Sequence, residues 1–251
     1  MQNGFSQTDR QSALITEGNQ GIGRVITREL VKTHAVIATT RGDCEAGNLN
    51  DNTHAEIVRC DIALREDREA LISELRSRRR RIHLLVNCTG MAPCAGPDLL
   101  EASEESFDSL LHANVVGPHF LSQALACWMS EQGGGRIAFM TFVPGYEARI
   151  NLSNHCISTA GLSMSRALYA RRLAAKGIHV FEIRASDMPS DVVASSELGS
   201  EEQSSDDPLC LRRGPTPTDV VKAVSAIANG ELDFLTGQVL HINARSRLPH
   251  L

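Results

Sequence analysis

Short apolar runs alternate with longer amphipathic stretches along this chain. Residues 13–16 form a buried-type strand run, followed by glycines and a helical pattern over 21–32. Residues 35–40 and 56–60 read as the second and third strands, with helical composition over 64–78. Residues 82–87 form a continuous apolar run of the kind buried on both faces of a parallel sheet. A helix is predicted over 103–129, with a break near Gly117 and Pro118, and then a fifth strand over 136–142. A long helix over 153–175 ends at Gly177, which suits a left-handed C-terminal cap. A sixth strand over 178–184, a helix over 218–229 and a last strand over 238–243 complete the pattern. Seven strands alternating with helices predict one α/β domain over 12–251, a doubly wound Rossmann-type fold with a seven-stranded parallel sheet. Residues 1–11 read as a polar tail, and the serine-rich, aperiodic stretch 186–213 as a substrate flap.

Composition narrows the classes. At 251 residues, 42% hydrophobic and 22% charged, the chain is neither disordered nor collagen-like nor a polytopic membrane protein. A single domain of this length buries roughly three-quarters of its unfolded surface, so the core needs no staples. Thirty acidic and twenty-five basic residues leave a net charge of -5, which provides no electrostatic footprint for nucleic acid. No 18-residue apolar window is present, so no membrane span is expected. Seven cysteines, an odd number with no CxxC pair and no secretory signal ahead of them, suggest free thiols in a reducing cytoplasm. The scattered histidines and cysteines show no metal-ligand spacing. Arg76 and the run Arg78 to Arg81 sit near a helix C-terminus, where they read as a solvated end that complements the helix dipole.

The segment Thr16-Glu17-Gly18-Asn19-Gln20-Gly21-Ile22-Gly23 joins the first strand to the first helix. A glycine-rich turn there brings backbone N–H groups and a helix N-terminus to a pyrophosphate. Here the chain resembles the classical short-chain dehydrogenase/reductase family, in its β-ketoacyl-carrier-protein reductase and hydroxyacyl dehydrogenase branch. The loop resembles the family's TGxxxGxG. Asn87-Cys88-Thr89-Gly90 resembles its NNAG, and Thr236-Gly237-Gln238 lies in a matching last strand. The resemblance implies cofactor contacts from Glu17, Gly18, Gly21, Ile22, Gly23, Asn87 and Gly90. It also implies that Asp61 faces the adenine ring and that Arg41 would meet the 2′-phosphate of NADP.

The resemblance further implies an Asn-Ser-Tyr-Lys tetrad, whose positions here are Asn114, Phe142, His155 and Thr159. Their separations, 28, 13 and 4 residues, are those of the intact family. Asn114 is retained, while the serine, tyrosine and lysine are replaced. His155 offers an imidazole that titrates near 6.5, but it reaches ~2 Å less far than a tyrosine hydroxyl. Thr159 carries no charge, Phe142 no hydrogen bond, and Thr141 points to the opposite strand face. Glu17 stands where the family has glycine and adds bulk and negative charge beside the phosphate position. Ala185-Ser186 replaces the family's Pro-Gly, and Asn243-Ala244-Arg245 its Asp-Gly-Gly.

These departures predict a non-catalytic subunit with no bound cofactor. It would assemble with an intact NAD(P)-dependent ketoacyl or hydroxyacyl paralogue, or with itself, as the family's tetramers do through the helices after strands four and five and the last strand. The alternative is a working oxidoreductase on NAD or NADP, acting on an acyl-thioester-type substrate with His155 as acid/base. A third reading is a reassigned pocket that binds a small molecule without redox chemistry.

Overall fold

The computed structural model describes residues 10–42, 54–88, 97–142, 148–185 and 215–243. The strands are β1 (Ser12–Ile15), β2 (Ala35–Thr40), β3 (Glu56–Arg59), β4 (Leu84–Asn87), β5 (Gly135–Phe142), β6 (Ile178–Ala185) and β7 (Gln238–Ile242). The helices are α1 (Gly21–Leu30), α2 (Arg65–Ser77), α3 (Glu104–Leu111), α4 (Gly117–Glu131), α5 (Ser153–Leu173) and α6 (Pro217–Ala228). All strands pair in parallel, in the order β3-β2-β1-β4-β5-β6-β7. The strand order reverses between β1 and β4, which opens a crevice at their carboxyl ends. The doubly wound fold expected from the pattern is therefore present.

Period-two alternation divides the core into two layers. Ala13, Ile15, Leu84, Val86, Ala138, Met140, Phe181 and Ile183 face one way, against α1 and α6. Leu14, Ile37, Leu85, Ile137, Phe139 and Val180 face the other, against α2, α4 and α5. Helix ends follow local chemistry. Thr216 and Asp219 close a capping box at α6, with Pro217 in the first turn, where its missing N–H costs nothing. Glu66 and Asp67 open α2 and Arg76 closes it, matching the macrodipole. Gly177 ends the turn after α5 at φ 67, as expected of that glycine.

Two expectations are corrected. The predicted break at Gly117 and Pro118 comes earlier: α3 stops at Leu111, and residues His112–Val116 form a π-helical turn before α4 resumes. Gly117 has a packing role instead. A Cβ there would come within 2.6 Å of the Ile62 carbonyl oxygen, so only glycine lets α4 approach the turn after β3. The arginine run is also more than a solvated end. Arg78 and Arg80 both pair with Glu56 on β3, Arg78 also pairs with Glu74, and Arg76 lies over the Trp128 ring at 5.9 Å. The stretch 186–213, Gly90, Ala244 and Arg245 lie outside the described residues.

Candidate active site

The loop after β1 is held by its own backbone. Thr16 Oγ1 accepts from Cys88 N at 2.8 Å, which ties the ends of β1 and β4 together. Glu17 N donates to Thr39 Oγ1 at 3.2 Å and Gly18 N to Thr39 O at 3.0 Å. A Cβ on Gly18 would meet Ala38 Cβ at 2.7 Å, and one on Gly23 would meet the Glu17 carbonyl oxygen at 2.4 Å. Gly21 sits at φ 50. These glycines are required by the loop's packing and conformation whether or not a phosphate is present. Ile22, in the first turn of α1, is buried in the core layer that this helix covers, so of the cofactor-loop residues it serves the core.

Glu17 itself lies at φ 49, in the left-handed region that favours glycine. Its side chain turns inward and is only 12% exposed. The carboxylate lies 2.8 Å from Arg41 Nε, with the N–H off axis, and accepts from Gln20 Nε2 at 3.1 Å. Burial pushes its pKa up, while Arg41 and Gln20 pull it down and Asp61 adds to the rise. Asp61 turns its own carboxylate to Ala63 N at 2.9 Å. Asn87 is fully buried and donates to Ser122 Oγ at 3.1 Å. Of the residues singled out in the sequence, Glu17 and Arg41 are in contact, Asp61 is near enough to act on the Glu17 carboxylate, and Asn87 ends β4. The direct Glu17–Arg41 pairing was not legible in the sequence.

The tetrad positions also converge. The π-turn carries Asn114, whose Nδ2 donates to Ser158 Oγ at 3.1 Å. Such turns widen a helix locally and often mark functional positions. β5 ends at Phe142, and α5 presents His155 and Thr159 one turn apart on its buried face, 2% and 4% exposed. Asn114, Thr141, Phe142, His155, Thr159 and the neighbouring Leu162 line a cavity of about 10 Å³. Roughly 10–15 Å³ is what a single water needs. His155 is the one titratable group in that lining. Between these described residues the space beside the imidazole is about that of one water.

The chemistry of the residues present suits a dinucleotide poorly at both ends. A carboxylate sits in the phosphate loop and engages Arg41, and Phe142 and Thr159 bring neither a hydroxyl at 142 nor a cation at 159. Gly18, Gly21, Gly23 and Asn87 still offer a cradle of the right shape.

One cluster escaped the sequence reading. Glu182, in mid-strand and fully buried, accepts from Thr141 Oγ1 at 2.8 Å and Ser163 Oγ at 2.6 Å. Arg184 Nη2 bonds it at 2.8 Å, and Arg166 Nε stands at 3.3 Å. Thr141 does point away from Phe142, as alternation requires, and it spends its hydroxyl on this carboxylate. Two charged residues interrupting an otherwise apolar parallel strand were the available signal.

A family model described as Enoyl-(Acyl carrier protein) reductase matches residues 17–244. The chain is 26% identical over 244 residues to the 3-oxoacyl-(acyl-carrier-protein) reductase FabG of Rickettsia bellii, covering 93% of this chain and 95% of that protein. It is 26% identical to dehydrogenase/reductase SDR family member 4 of Mus musculus, over 91% of this chain and 84% of that one. A crystal structure of the 3-oxoacyl-(acyl-carrier protein) reductase of Brucella melitensis in complex with NAD superposes with a TM-score of 0.83. It is 27% identical, over 94% of this chain and 96% of that one.

Proposed function

The chain belongs to the short-chain dehydrogenase/reductase family, and from that premise we propose that it has kept the framework and lost the reaction. In this reading it is a non-catalytic subunit that binds no dinucleotide. It assembles with an intact NAD(P)-dependent ketoacyl or hydroxyacyl oxidoreductase of the same family.

The observation that carries the reading is that Asn114, Phe142, His155 and Thr159 converge on one lining that holds no hydroxyl at 142 and no cation at 159. A reductase needs a proton donor at the substrate oxygen and room for two reacting groups in contact. Phe142 fills the place of a hydroxyl, and Thr159 supplies no cation. The internal Glu17–Arg41 pair supports the same conclusion from the other end of the crevice.

Assembly is supported by what α4 and α5 leave uncovered. Ile157, Met164 and Leu168 form an exposed apolar stripe along α5, and Phe120 is exposed on α4. Ala160 and Gly161 keep the middle of that stripe low. An intact family member presents the matching helices. We place the protein in the cytoplasm, a reducing compartment in which the buried Cys60 and Cys88 and the exposed Cys127 stay thiols.

Two measurements test the reading. Purified chain is titrated with NADH and NADPH and followed by cofactor fluorescence and ketoacyl-thioester turnover. No saturable change is expected, whereas the combined variant Glu17→Gly, Phe142→Ser, His155→Tyr, Thr159→Lys gains binding. Native mass spectrometry after co-expression with a ketoacyl reductase of the same genome is expected to show mixed tetramers. Turnover by the unaltered chain would reject the proposal in favour of His155 as a working acid/base.

A further inference from the structure

The amino ends of the strands, opposite the crevice described above, hold a second and much larger cavity. It measures about 300 Å³ and lies between the ends of β2 and β3. That is the lower end of the range for small-ligand sites, roughly 300–1,000 Å³. Its polar wall comes from Arg10, His34, His54, Glu56 and Arg80.

The charges on this wall are unbalanced. Glu56 is the one carboxylate in the lining, and both its oxygens are engaged, Oε1 by Arg78 and Oε2 by Arg80. Arg10 is anchored through Nη1 to the Val31 carbonyl oxygen at 3.2 Å. His34 is fixed by Thr33 Oγ1 at 2.8 Å from Nδ1 and by the Ala228 backbone. Burial pushes its pKa down, the Ala228 hydrogen bond opposes the fall, and Arg136 and Arg10 add to it. On a chain of net charge -5, crowding guanidinium groups around one cavity opposes the general balance. Like charges so placed are costly unless an anion joins them. Two arginine forks in one lining, one of them steadied by a carboxylate, suit the planar recognition of a phosphate group.

We propose that the cavity walled by Arg10, His34, His54 and Arg80 binds a phosphate group, as inorganic phosphate or as the phosphomonoester of a small molecule. The site stands apart from the crevice that holds Glu17 and does not depend on how that crevice is read. Arg10 and Arg80 hold the phosphate oxygens. His54, at the rim, contacts whatever the phosphate is attached to, and the cavity volume leaves room for such a group.

The test is an NMR titration of the histidine ring protons with sodium phosphate and, separately, with adenosine monophosphate, at ionic strength held constant with chloride. Saturable shifts of the His34 and His54 signals are expected, with Arg10→Gln weakening the apparent affinity about tenfold. His54→Ala serves as the second variant, and it is expected to weaken adenosine monophosphate more than phosphate. Glu17→Gly is expected to leave these shifts unchanged. Tighter binding of the nucleotide identifies a phosphomonoester site, and equal binding a site for phosphate alone. Shifts that fail to saturate, or that persist unchanged in Arg10→Gln, overturn the proposal.

Discussion

The carboxylate of Glu17 and the guanidinium of Arg41 lie 2.8 Å apart, so the second residue past β1 is paired with the first residue past β2. The backbone at Glu17 is left-handed, which a side chain other than glycine adopts at a cost of roughly 1–2 kcal/mol. That cost is offset by an ion pair and the Gln20 hydrogen bond in a half-buried setting. The cation that could hold a nucleotide's 2′-phosphate is thereby engaged by an anion of the chain itself.

Replacing Glu17 by glycine and by alanine separates strain from charge. Both variants lose the ion pair, but only glycine relieves the backbone. In urea unfolding, Glu17→Gly is expected to be about 1 kcal/mol more stable than Glu17→Ala. Equal midpoints and slopes for the two would show that no strain is stored there.

Glu182 holds two arginines and two hydroxyls inside the protein. Removing it leaves Arg166 and Arg184 without their shared counter-charge, which typically costs about 3–5 kcal/mol. Glu182→Ala is expected to unfold at correspondingly lower denaturant, and Glu182→Gln to lose less because it can still accept from Thr141 and Ser163. A Glu182→Ala midpoint equal to that of the unaltered chain would contradict this account.

His83 accepts a hydrogen bond from Ser12 N at 3.0 Å through Nδ1, which requires a neutral ring. Burial, then Arg81, Arg136 and His34, push its pKa down to about 4. The unfolded chain therefore takes up this proton at higher pH than the folded one. The stability from His83 is complete above about 6.5 and is lost as pH falls from there toward 4. Because the ring is partly solvated, a loss of about 1–2 kcal/mol is expected across that window. His83→Gln keeps an acceptor and should flatten this limb of the pH–stability curve. An unaltered slope would remove His83 as its source.

Two glycines should respond in opposite directions to alanine. A Cβ on Gly23 would strike the Glu17 carbonyl, so Gly23→Ala is expected to cost about 1–3 kcal/mol even with no nucleotide present. On Gly161 in α5, the nearest atom is Val115 Cγ2 at 3.5 Å, an ordinary contact. Gly161→Ala should therefore stabilise the isolated chain by about 0.5–1 kcal/mol through helix propensity. If α5 is an assembly face, the same change weakens mixed-tetramer formation, and native mass spectrometry reads that separately from thermal unfolding.

Much of this protein was legible in its residues. Short apolar runs located the seven strands of the described residues to within a residue or two, because a strand buried in a parallel sheet is a local stretch of apolar side chains. The register of Asn114, Phe142, His155 and Thr159 was equally plain, since spacing along β5 and α5 is a local property. Tertiary structure alone decided the rest. The direction of the Glu17 carboxylate depends on Arg41, which β2 delivers. The need for Gly117 depends on Ile62, which the turn after β3 brings against α4. Glu182 is tolerable only because α5 brings Ser163 and Arg166 over it. How much space remains beside His155, or between Arg10 and Arg80, is a difference between packed volumes that meet only when distant segments of chain come together.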